Sequence, residues 1–254
     1  MDAKQILYKF QMERFEIFKF QNLENGKFDV TFEICGKKLH SHRFIICPFS
    51  TTLDSMLSER WTKPNEPVKI DGYSFDDFNE FLTFIYSGNC KLTNENIFSM
   101  VDIAEFFGVK LFKIYCEKFL TKMKFDSNNV FDFRELSQKY SLKKLKKAID
   151  KFISENISYI HQNEKFLNFR KSDIKEIVES NYKTAKQEEL FEGVYKWAEN
   201  HVKTVESVEI CEKTKNVGIK NEMHQFLPFF YFEKMENKFF HDFIGKNFLR
   251  NENV

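Results

Sequence analysis

In "KFDVTFEICGKKLHSH" the apolar residues fall at every second position, with Phe28, Val30, Phe32 and Ile34 on one face and Asp29, Thr31 and Glu33 on the other. A period of two is the mark of a half-buried strand, and a strand with one greasy face must be both paired and covered. Gly36-Lys37 supplies a two-residue turn with glycine at the position that needs a positive φ. Leu39 to His42 is then the returning strand, and "PVKI" offers Val68 and Ile70 inward from a third short strand.

The cover is helical. "MDAKQILYKFQMERFEIFKFQNL" reads as one amphipathic helix in which Ile6, Leu7, Phe10, Ile17 and Phe18 recur at near-helical intervals, before "ENG" breaks the pattern. Met12, Phe15 and Phe20 widen that stripe beyond what a surface helix requires. A helix this apolar needs a cover from its own domain or from another chain. Further on, "SFDDFNEFLTFIYSG" has Ser74 as N-cap and Gly88 as stop, and "LTNENIFSMVDIAEFFG" runs from Thr93 as cap to Gly108. "VKLFKIYCEKFL" adds another helix, so the first half reads as an α+β unit ending near Met123. From Phe125 onward strand signals fade. Helical faces appear in "NVFDFRELSQKYS", "LKKLKKAIDKFISENI", "SDIKEIVESN" and "EELFEGVYKWAENHV", with connections short enough for antiparallel pairs. "KTVESVEICEKTKNVGIKNE" loses helical periodicity and reads as a loop. The aromatic run "FLPFFYFEKMENKFFHDFI" reads as a closing element packed on the helices.

With 254 residues the chain is long enough for two domains, and the 32 Phe supply far more apolar surface than most chains of this length carry. That surplus points either to a partner surface or to a genome rich in Phe, Lys, Asn and Ile. The formal net charge of +1 offers no global field to draw the protein to nucleic acid or an anionic membrane. No apolar run approaches the about 20 residues needed to span a bilayer. Five cysteines without a CxxC spacing suit a reducing compartment, so cytosol or nucleus is expected.

Few residues have the type and spacing that chemistry requires. His40 and His42 sit two apart with Cys47 close behind. A structural zinc site needs four ligands, however, and no second Cys/His pair has a recognisable spacing. Cys47, inside "FIICPF", reads as a buried inert thiol rather than a nucleophile. No phosphate loop, GxSxG or HExxH occurs. Neither an enzyme nor a bound cofactor is expected. The cluster "KKLKKAIDK" lies opposite Leu142, Leu145 and Ile149 and reads as the solvated face of a helix.

The order of these elements resembles the BTB (POZ) domain. "FDVTFEICGKKLHSHRFIICPFSTTLDSML", "FNEFLTFIYSG" and "IFSMVDIAEFFGVKLFKIYCEKFL" are similar to its opening hairpin and helices. "NNVFDFRELSQKYSLKKLKKAIDKFISENI" and "EELFEGVYKWAENHV" resemble the BACK domain that often follows it. The resemblance implies a dimer-interface helix over 1–27, a BTB domain over 28–123 and an all-α BACK-type domain over 124–250. It also implies that His42 packs and hydrogen-bonds at the strand-to-helix step, with His40 as its neighbour.

The family's functional residues carry over as expectations. BTB domains are mostly homodimers, which implies that Ile6, Phe10, Phe15, Ile17 and Phe18 are covered by a second copy. An acidic–basic pair near that interface matches Asp29 and Arg43. BTB–BACK proteins commonly act as substrate adaptors for cullin-3 ubiquitin ligases, docking through a hydrophobic-x-Glu step. Here Trp61 fits the hydrophobic slot of that step, but Lys63 stands where Glu is expected. The implied partners are therefore itself, cullin-3 and a substrate protein. The alternative is a dimerisation module with a structural or regulatory role.

Overall fold

The structure is a computed structural model that describes residues 2–58, 66–205 and 212–249. It divides into two compact units, Met1–Met123 and Lys124–Val254, each with its own core.

The first unit opens with α1 (Ala3–Phe20). Asp2 and Gln5 start it with a capping box, Asp2 Oδ1 accepting the Gln5 amide at 2.8 Å and Gln5 Oε1 accepting the Asp2 amide at 3.0 Å. Gln21 ends it in the left-handed region, and the expected break at "ENG" is instead the short helix α2 (Leu23–Gly26), capped by Asn22. Strands β1 (Val30–Ile34) and β2 (Lys37–Ser41) pair antiparallel, and β3 (Val68–Lys69) joins β1 in parallel, giving the order β2-β1-β3. The period-two reading holds on β1: Val30, Phe32 and Ile34 are buried and the residues between them are not. The turn lies one residue earlier than expected. Cys35 and Gly36 take the two central positions, with φ of 48° and 76°, and Lys37 already belongs to β2. Two successive left-handed residues match the twist of a tight hairpin, and Gly36 adopts its φ without the Cβ cost that Cys35 bears.

Helices α3 (Arg43–Ile46), α4 (Thr51–Met56), α5 (Phe75–Ser87), α6 (Ile97–Phe106) and α7 (Lys110–Leu120) complete this unit. Ser74 caps α5 through Oγ, which accepts the Asp77 amide, and Gly88 stops it with φ 76°. Thr93 does not begin α6. It exchanges hydrogen bonds with Asn96 in the preceding turn, and the helix starts at Ile97. The Phe residues interlock here: Phe32 meets Phe78 edge-on at 5.1 Å, and Phe107 lies against Phe78 and Phe81 at 5.6 and 5.2 Å. All four rings are fully buried.

The second unit is helical throughout its described residues: α8 (Val130–Lys139), α9 (Lys143–Glu155), α10 (Ile157–Ile160), α11 (Glu164–Leu167), α12 (Lys171–Asn181), α13 (Gln187–Val205) and α14 (Glu212–Met223), then shorter turns. Leu145, Ile149 and Ile153 of α9 face the core while Lys143, Lys144, Lys147 and Lys151 face water. Trp197 is fully buried and donates its indole N–H to the Phe169 carbonyl at 2.8 Å.

The segment after Val202, expected to be a loop, is largely helix. α13 continues to Val205 and α14 begins at Glu212. Among the described residues of α14 only Ile219 and Met223, four apart, turn inward, too sparse a stripe to register as periodicity. The Lys215–Glu199 ion pair at 2.7 Å ties α14 to α13. The aromatic tail packs as expected. Phe191 is ringed by Phe230, Phe232 and Phe248 at 4.9 to 5.9 Å, and Ile244 is buried in the final turns.

Candidate protein–protein interface

α1 carries apolar residues on two sides, and the structure uses only one of them. On the inner side Phe18 is 2% exposed and stacks on Tyr86 of α5 at 4.3 Å, with 13° between the rings. Gln11 donates its side-chain amide to the Tyr86 carbonyl. At the helix end the Gln21 side chain acts as a surrogate strand for the edge of β2. It donates to the His40 carbonyl at 2.9 Å and accepts the His40 amide at 2.7 Å. An edge strand with open amides is a template for unwanted pairing, and one glutamine covers part of it.

Tyr86 is the hub of this attachment. The proton positions follow from counting donors. The Gly26 carbonyl can only accept, so His42 Nε2 carries a proton and donates to it at 2.7 Å. In the neutral ring Nδ1 then accepts, and the Tyr86 hydroxyl donates to it at 2.7 Å. That spends the only Tyr86 proton, so the Tyr86 oxygen accepts from the His42 amide at 2.9 Å and from Ser41 Oγ at 3.1 Å. Burial pushes the Tyr86 hydroxyl pKa up to about 12, which keeps it a donor. Phe28 packs against His42 at 4.8 Å and His40 at 5.8 Å. A Cβ on Gly26 would run into the Phe28 ring, so the close approach of that carbonyl to His42 depends on glycine. His40 makes its own bond with Thr31 Oγ1 at 2.9 Å. His42 thus occupies both ring nitrogens in fastening α2 to α5 just after β2 ends. Cys47 is half-buried, and burial raises its thiol pKa to about 11, so at neutral pH it is a thiol and not a nucleophilic thiolate.

The outer side of α1 is bare. Ile6, Phe10, Ile17 and Phe20 are 37, 52, 43 and 73% exposed, interrupted by Glu13. Positions 6, 10, 13, 17 and 20 alternate steps of four and three, the spacing of a helix seam that packs against another helix. Leu7, Tyr8 and Leu23 are also exposed, Tyr8 on a different side of the helix from the seam.

Of the residues expected at a dimer interface, Ile6, Phe10 and Ile17 therefore share this face, and Phe15 is half-buried. Phe18 does not belong with them, because its ring is in the chain's own core against Tyr86. Asp29 and Arg43 are adjacent but not as the side-chain pair the resemblance implied. Asp29 Oδ1 accepts the backbone N–H of Arg43 at 2.8 Å, capping α3, whose own N-cap residue His42 has no side-chain cap bond. Both residues are exposed, beside a 450 Å³ cleft shared with Phe44 and Cys47. Trp61 and Lys63 lie outside the described residues.

Of the hub residues, Tyr86 falls on the tyrosine of the family-like stretch "FNEFLTFIYSG", while Gln11, Gln21 and Gly26 carry no signal in the sequence that singles them out. Tyr86 follows a helical apolar stripe, and its polar role depends on segments about 45 and 60 residues away. Among the described residues no cluster of three His, Cys, Asp or Glu is placed to hold a metal, and no helix is long and apolar enough to cross a membrane.

Comparison with known proteins identifies the architecture. The sequence model of the BTB/POZ domain matches residues 18–124, and that of the BACK domain, "BTB And C-terminal Kelch", matches residues 130–212. Kelch-like protein 24a of Danio rerio is 25% identical over 171 residues, and Kelch-like protein 24 of Homo sapiens 26% identical over the same length, each covering 66% of this chain and 28% of the relative. Kelch repeat and BTB domain-containing protein 1 of cowpox virus is 25% identical over 179 residues, covering 69% of this chain and 32% of the viral protein. The chain thus spans about three-tenths of the length of these relatives. Among solved structures, the BTB domain of human Gigaxonin overlaps 43% of this chain and 91% of its own, at 18% identity and a TM-score of 0.36. The two sequence models, in this order and covering most of the chain, show that it belongs to the BTB–BACK proteins.

Proposed function

We propose that this chain is a homodimeric scaffold that brings a substrate protein to a cullin-3 ubiquitin ligase, working in the cytosol or nucleus. The observation that carries the dimer is the bare seam of α1, whose Ile6, Phe10, Ile17 and Phe20 face water while the opposite side of the same helix is firmly docked. A second copy presenting the same seam satisfies both at once by an isologous contact. Scaffolding needs no bond-making residue: the contribution is proximity, doubled by the dimer.

Cullin binding is supported by the family and by a second apolar area. Phe106 at the end of α6 and Leu111 on α7 are 56 and 65% exposed, and Thr52 of α4 donates its hydroxyl to the Phe106 carbonyl at 3.1 Å. Purified chain should capture cullin-3, and Trp61→Ala should weaken that capture. Absence of binding at micromolar concentration would refute the ligase reading.

Lys63 favours a second reading, a BTB dimer without a ligase role, because a reversed charge at a desolvated contact costs a few kcal/mol. If Lys63→Glu creates cullin affinity that the natural chain lacks, the second reading stands.

A further inference from the structure

The second unit holds a cleft that the dimer and cullin reading does not use. α8, α9 and α12 wall a cavity of about 970 Å³. Its floor is acidic but already neutralised. Asp150 and Asp173 are 3 and 7% exposed, and the buried Arg134 reaches both, at 3.2 and 3.4 Å. Lys146 bridges Asp150 and Glu176, and Arg170 holds Asp173 at 3.1 Å. Every carboxylate lining the cleft is therefore matched by a cation.

The rim is not matched. Lys143, Lys147 and Lys151 line one edge at four-residue intervals on α9. Among the described residues Lys143 and Lys147 have no ion pair, and Lys151 has only an exposed contact with Glu155 at 3.7 Å. Four residues of helix advance about 6 Å, so the three ammonium groups form a ladder of about 12 Å. In an extended peptide, alternate side chains on one side are about 6.8 Å apart. Carboxylates on every second residue of such a segment would meet successive lysines, while the hydroxyls of Ser141, Ser172, Ser180 and Thr184 in the cleft wall could bond its backbone.

We propose that this cleft binds an extended acidic segment of a partner protein. A single nucleic-acid strand has similar charge spacing, but such sites stack bases on aromatic rings, and no aromatic residue lines this cleft. The proposal goes beyond the ligase reading and requires neither cullin nor a dimer.

Fluorescence anisotropy on the full chain tests it with three labelled probes: a polyglutamate peptide, a polyglutamine peptide of equal length and an oligothymidylate of equal charge. Polyglutamate should bind in the micromolar range and the other two at least tenfold more weakly. The triple variant Lys143→Glu/Lys147→Glu/Lys151→Glu should lose at least tenfold. Ser180→Trp fills the cleft without changing charge and should lose as much, with Ser172→Trp taking its place if that protein does not fold. Polyglutamate binding that survives the filled cleft, fails to reach the micromolar range, or is equalled by oligothymidylate overturns the proposal.

Discussion

Tyr86→Phe removes one oxygen from the hub that fastens α1 and leaves every ring contact in place. Three polar groups lose their partner: Ser41 Oγ, the His42 amide and His42 Nδ1. A buried donor or acceptor left unpaired costs about 1–3 kcal/mol. Ser41 is fully buried and His42 only half so, so the total should lie near 3 kcal/mol, the lower end of the range for three groups. Hydrogen exchange at the β1 and β2 amides reads the opening of the first unit without interference from the second. A loss of about 3 kcal/mol appears there as exchange about a hundredfold faster, since each 1.4 kcal/mol is a factor of ten. Phe18→Leu, which trims the stacked ring but leaves the hydrogen bonds, should cost less than half as much. If exchange in Tyr86→Phe stays within threefold of wild type, the polar hub does not hold this unit together.

Other substitutions test the remaining structural claims. Phe10→Asp/Ile17→Asp replaces two half-exposed residues of the α1 seam. With about 1 kcal/mol still to gain per residue and two copies per dimer, loss of about 4 kcal/mol weakens association at least about a thousandfold by analytical ultracentrifugation while leaving the helix content unchanged. Arg134→Met should destabilise the second unit by about 1–3 kcal/mol in neutral urea titrations, because the buried Asp150 and Asp173 lose their shared partner and keep only Lys146 and Arg170. Arg134 favours the charged form of both carboxylates, although burial leaves Asp150 raised and the pH dependence therefore follows from Asp173. Burial raises that carboxyl, but the Arg170 hydrogen bond and the Arg134 charge override it and hold the carboxyl below its usual range. The wild type therefore has this contribution in full above the ordinary carboxylate range and loses it as pH falls through the depressed value, so the gap between variant and wild type should narrow in acid.

Much of this architecture is legible in the chain because it rests on local rules. The alternation of Val30, Phe32 and Ile34, the Ser74 cap and the Gly88 stop each depend on neighbours within one element. The hidden parts depend on distance or sparseness. The hairpin turn shifted by one because Cys35 tolerates a left-handed φ beside Gly36, and propensity alone would not choose it. α14 was hidden because two inward residues do not make a period. Phe18 and Phe10 are indistinguishable as letters on one helix, and only the position of Tyr86 on α5 decides which of them is core. Asp29 and Arg43 were expected to meet through their charges, yet the aspartate serves a helix end, a role set by the bend at His42.

The central claim is that the outer face of α1 is sheltered by a second copy. Light scattering on the eluting peak of the wild-type chain, across a hundredfold range of concentration, measures this directly. The account predicts twice the chain mass of 30.6 kDa down to micromolar concentration. A single-chain mass at every concentration, with the Ile6, Phe10 and Ile17 side chains free in solution, would contradict it.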